Sequence, residues 1–174
     1  MEKFVVIVFP NGLQGQIWST ILRSQQLSVI WESPDVLLPH TLKALQQQQT
    51  LPDLLILDTR LHHLQPLHLC RWSQKHNLNV EILLVNGMQS HILAAERKWA
   101  LSQGAADLLP RICQKSLISG AATNLRKALD LLEVLHYDQH ALIRSLLRIS
   151  PNSTRKARCS KPDETLTMQR MLGG

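Results

Sequence analysis

The chain has 174 residues, of which 44% are hydrophobic and 18% charged. That is enough apolar material for one domain with a sizeable core, and too much for a disordered, collagen-like or mucin-like chain. The net charge of +6 is uneven, with five Lys or Arg against two Asp or Glu in residues 151–174, and no apolar run approaches the roughly 18–20 residues of a membrane span.

Phe4 to Phe9 is a continuous β-branched and aromatic run, the pattern of a strand buried on both faces. Pro10-Asn11-Gly12 breaks it, and Leu13, Ile17, Ile21 and Leu22 then recur at helical spacing. Leu27 to Trp31 reads as a second strand, and Pro39 opens a helix carrying Leu42 and Leu45. Leu54 to Leu57 is a third strand ending at Asp58, followed by a helix over 64–76. Ile82 to Val85 is a fourth strand closed by Asn86-Gly87. Ile92, Ala95 and Trp99 mark a helix capped near Gly104. Leu108-Leu109 is a short fifth strand stopped by Pro110, and a last helix begins near Ser116. Five buried strands alternating with helices predict an α/β domain with a parallel sheet covered on both faces.

In such a sheet the side chains at the carboxyl ends of the strands form the ligand crevice. The residues there are Phe9 and Pro10, Asp58, Asn86 and Arg111. Other constellations fall away on spacing. His62, His63, His68 and Cys70 match no standard zinc pattern, and His68 and Cys70 share no helix face. The four tryptophans lie on different elements and are expected to serve packing. Cys70, Cys113 and Cys159 are odd in number and lack metal or redox spacing, so free thiols in a reducing, cytoplasmic interior are expected. The first residues lack a small-residue cleavage site, so no signal peptide is expected.

The segment Pro52-Asp53-Leu54-Leu55-Ile56-Leu57-Asp58 resembles the phosphoacceptor strand of CheY-like response-regulator receiver domains. Gly104 to Arg111 is similar to that family's Gly-Ala-x-Asp-[Tyr/Phe]-Leu-x-Lys segment. The resemblance covers about residues 3–135 and implies a flavodoxin-like sheet ordered 2-1-3-4-5. It also implies where this chain departs. The two acidic residues that hold Mg²⁺ in receivers correspond to Phe9 and Pro10, which offer no side-chain oxygen. The family's Thr or Ser corresponds to Asn86, its Lys to Arg111 and its switch aromatic to Leu108. A guanidinium at Arg111 is placed to pair with Asp58. The implied protein is a pseudo-receiver with a degenerate phosphoacceptor site (Asp58, Asn86, Arg111), no catalytic residues, no metal and no cofactor.

Beyond the receiver-like part, Leu125, Ala128, Leu132, Leu135, Gln139, Leu142, Leu146 and Ile149 follow one another in steps of three and four, a heptad pattern. This predicts that the last helix extends through residues 136–150 and presents Leu135, Leu142, Ile143, Leu146 and Ile149 to another protein or to a second copy of the chain. A helix folding back over the domain is the alternative. Residues 151–174 read as a basic, disordered tail. The expected function is that of a non-enzymatic signalling adaptor in a two-component pathway, working by protein–protein contact. A response regulator phosphorylated at Asp58, and a nucleic-acid-binding regulator using the basic tail, stay open as alternatives. No membrane partner is expected.

Overall fold

A computed structural model describes residues 3–149. In chain order the strands are β1 (Phe4–Val8), β2 (Ser28–Glu32), β3 (Leu54–Asp58), β4 (Glu81–Asn86) and β5 (Asp107–Pro110). They alternate with α1 (Leu13–Ser24), α2 (Leu38–Gln47), α3 (Pro66–Lys75) and α4 (Ala94–Ser102), and two more helices follow, α5 (Leu117–Leu131) and α6 (Gln139–Leu147). The five strands form one sheet in the order β2-β1-β3-β4-β5, and every neighbouring pair is parallel. This is the expected flavodoxin-like arrangement.

The continuous apolar runs are explained by a core on each face. Side chains alternate across a strand, so Val5, Ile7, Leu54 and Ile56 join α1, α5 and α6 in one cluster, while Val6, Val8, Leu55 and Leu57 join α2, α3 and α4 in the other. Polar groups then fix the edges of this frame. Asp53 receives the Phe4 N–H at 2.9 Å and the Lys3 ammonium at 3.1 Å, tying the entrance of β1 to that of β3. Partial burial alone would raise the Asp53 pKa, but the Phe4 N–H and Lys3 outweigh it and hold the carboxyl below its ordinary value. Gly104 adopts φ 95, the left-handed conformation anticipated for the end of α4.

The end of the fold departs from expectation. Instead of one helix through residue 150, α5 stops at Leu131 and the chain turns back. The turn is a Schellman motif: Val134 N–H donates to the Leu129 carbonyl at 2.9 Å, Glu133 N–H donates to Asp130 at 3.1 Å, and Glu133 takes φ 56. Asp138 then caps α6 by accepting from Ala141 N–H at 2.8 Å. Leu142 and Leu146 are buried in the same core as α1 and α5, with Ile149 packed against it. Ile143 is half-buried, and Leu135, in the linker, is fully exposed. The anticipated interaction stripe of Leu142, Ile143, Leu146 and Ile149 is therefore mostly internal packing. The physical reason is that α1 and α5 leave an apolar groove that the same four-residue spacing fills from within the chain. The basic segment 151–174 lies outside the described residues.

Candidate functional site

The crevice at the strand ends is organised by β3. Its last residue, Asp58, has no solvent exposure, so its carboxylate must find partners inside the protein. Arg60, two residues on, supplies them. The Arg60 Nε–H lies 3.0 Å from both carboxylate oxygens, Nη2 donates to Oδ2 at 2.6 Å, and the Arg60 backbone N–H donates to Oδ1 at 2.9 Å. One residue thus satisfies both oxygens through a planar fork and its own backbone. The hydrogen bonds to Asp58 hold the Arg60 guanidinium above its usual pKa. About a third of the Arg60 side chain reaches solvent.

Gly87 makes room for this pair. It is buried at the end of β4, and a Cβ there would stand 2.5 Å from Asp58 Oδ2 and 2.6 Å from the guanidinium carbon of Arg60. Any side chain at 87 would have to displace the pair. Beside it, the Asn86 side-chain Oδ1 accepts from the backbone N–H groups of Met88 and Gln89 at 3.0 and 3.2 Å. Asn86 is thereby spent on the loop after β4 and does not reach toward Asp58.

The pairing of Asp58 with Arg111 is corrected. Arg111 is exposed, its backbone N–H donates to the Gln89 carbonyl, and none of the ion pairs among the described residues involves it. The reason is reach: Arg60 sits in the loop that leaves Asp58, while Arg111 is directed outward past Pro110. Phe9, expected from the resemblance to stand at a metal-ligand position, is fully buried and stacks on Trp18 with ring centroids 6.4 Å apart. Pro10 is half-buried. Among the described residues no group of three or more His, Cys, Asp or Glu side chains is placed to hold a metal ion.

One side chain braces the mouth of the crevice, and another ties down the far, amino end of β5. The Gln14 amide donates to the Ile112 carbonyl at 2.7 Å and accepts from the Ile112 N–H at 2.9 Å, joining α1 to the loop after β5. Asp107, from the segment that carries the family resemblance, is buried and takes a two-pronged ion pair from Arg97 at 2.6 and 2.8 Å, which fastens α4 to β5. Trp99 on α4, expected in packing, is instead 57% exposed, with Leu93 and Leu101 also open to solvent. Arg60, Gly87 and Gln14 were not legible from the sequence pattern. The available signals were an Arg two residues after the strand-end Asp and a Gly directly after Asn86.

No protein-family model matches the chain, and no curated protein matches it. Solved structures do. A response regulator receiver protein from Burkholderia phymatum is similar, with 21% identity, a TM-score of 0.56 and coverage of 76% of this chain and 97% of that one. The beryllofluoride-activated DrrB receiver domain aligns at 13% identity and a TM-score of 0.50, covering 76% of this chain and 99% of that one. The chain has the receiver fold. Among the described residues, no helix is long and apolar enough to cross a membrane.

Proposed function

We propose that the protein is a non-enzymatic signalling adaptor: a receiver-fold domain that works by protein–protein contact, with its acceptor carboxylate held by its own Arg60. The observation that carries this reading is the buried Asp58–Arg60 pair. A carboxylate attacks a phosphoryl group with a free oxygen lone pair, and the incoming negative charge has to be neutralised. Here both oxygens already face the guanidinium. The neighbouring positions that would hold a divalent cation are a core phenylalanine and a proline. Arg60 supplies one fixed positive charge where a switchable site needs an exchangeable one. Leu93, Trp99 and Leu101, exposed around α4, offer apolar contacts suited to a protein partner.

The test is to incubate the full chain with Mg²⁺ and an acyl phosphate donor and to measure its intact mass. The unmodified mass is expected throughout. Gain of one phosphoryl group by the parent chain, lost in Asp58→Asn, would overturn the adaptor reading and make the protein a phosphoacceptor.

A further inference from the structure

The heptad seam of the sequence and the fold-back of the structure use the same residues. The three-and-four spacing runs unbroken from Leu125 to Ile149, straight through the turn between α5 and α6. In the folded chain Leu125, Ala128, Leu132, Leu142 and Leu146 are buried together. Leu135, the seam position inside the linker, is the one apolar seam residue left fully in solvent, and the polar seam residue Gln139 is exposed beside it. The linker also lacks the residues that usually break a helix. No Gly or Pro stands between residues 121 and 150, and Glu133 occupies the left-handed position that glycine takes without strain. Gln26, Gln49 and Asn77 adopt positive φ after α1, α2 and α3, so the conformation alone does not single out this turn. What does is that this turn interrupts a continuous seam.

The contacts that seat α6 are of two kinds. Leu142 and Leu146 pack into the core shared with α1 and α5, and any copy of the chain presents that same groove. The Gln25 side chain pairs with the Asp138 backbone, donating to its carbonyl at 3.1 Å and accepting from its N–H at 2.8 Å, and the Asp138 carboxylate caps Ala141. This second set exists only while the linker is bent.

We propose that α6 is exchanged between two copies of the chain. The linker straightens, α5 and α6 join into one helix, each α6 fills the groove of the other copy, and Leu135 enters the seam between the two joined helices. Leu142 and Leu146 keep their surroundings. The linker residues gain helical hydrogen bonds and Leu135 leaves water, while the Gln25–Asp138 pair and the Asp138 cap are given up. That second group sets the balance toward the single copy. The inference stands on the linker and is independent of how Asp58 is read.

The test uses the full chain, refolded at low and at high concentration, with its mass measured by light scattering. The parent is expected to be a monomer after dilute refolding and to yield a dimer after concentrated refolding. Deleting residues 132–138, one heptad, joins α5 directly to α6 with no chain left for the bend, and is expected to make it dimeric throughout. Leu135→Glu changes a solvent-exposed residue of the monomer. It is expected to leave the monomer's melting temperature unchanged and to cut the dimer's association constant about tenfold or more. A parent that stays monomeric after concentrated refolding overturns the proposal. So does a shortened chain that folds as a monomer, or a Leu135→Glu chain that dimerises as well as the parent. Should the shortened chain fail to fold, the comparison of Leu135→Glu with the parent decides alone.

Discussion

Replacing Arg60 by Met keeps an unbranched apolar stem and removes the charge, which isolates what the guanidinium does for Asp58. The parent carboxylate is fully buried and receives three contacts from the Arg60 side chain and one from its backbone. The substitution leaves only the backbone N–H. Stranding one member of a buried ion pair costs about 3–5 kcal/mol. Because a third of Arg60 is open to solvent, water can partly replace it, so the lower end, about 3 kcal/mol, applies. For a chain of this size that is a fall of roughly 6–12 °C in melting temperature. Asp58→Asn removes the charge instead and frees Arg60 to turn into solvent, so its cost should be smaller, about 1–2 kcal/mol. The decisive measurement is the double variant Asp58→Asn/Arg60→Met in urea unfolding. It should be more stable than Arg60→Met alone by about 1 kcal/mol or more, because no unpaired charge remains inside. If Arg60→Met is within about 0.5 kcal/mol of the parent, or the double variant gains nothing over it, the pair is not what satisfies Asp58.

Leu142→Ala should destabilise the whole domain by about 2–5 kcal/mol, as fits a side chain with no exposure at the centre of a core; a change under about 0.5 kcal/mol in urea unfolding would mean that α6 is not seated there. The Cys70 thiol is buried in the core and pushed by that burial up to about 12. In a Cys113→Ser/Cys159→Ser chain it should take up no thiol reagent at pH 8 until denaturant is added, and rapid labelling of the folded chain would refute that placement.

The sheet was readable because strands buried on both faces need unbroken apolar runs, and Val5–Val8, Leu54–Leu57 and Ile82–Val85 supply them with turn residues between. The partner of Asp58 was not readable. Resemblance pointed to Arg111, while the pair depends on how the loop after β3 turns and on the space that Gly87 leaves, both of them three-dimensional facts. The end of α5 was hidden for a different reason. Leucines spaced three and four apart satisfy a continuous helix and a helix folded back on its own domain equally well. With no Gly or Pro at residues 132–138, nothing local marked the break. Asp138 was the single usable sign, since an Asp before a new apolar repeat is a helix start.

Phe9 changes how a metal-holding variant could ever be reached from this sequence. Its ring is sealed against Trp18 beneath the end of β1, so Phe9→Asp would do two damaging things at once, opening a void and setting a carboxylate in hydrocarbon. Each alone costs several kcal/mol, as much as a small domain has to spare. A divalent-ion site at this position cannot be reached from this sequence by a single step that leaves the domain folded. The packing around Trp18 would have to be rebuilt first, by changes that bring no benefit until the acid arrives. The aromatic residue makes the chemistry of this position part of the architecture.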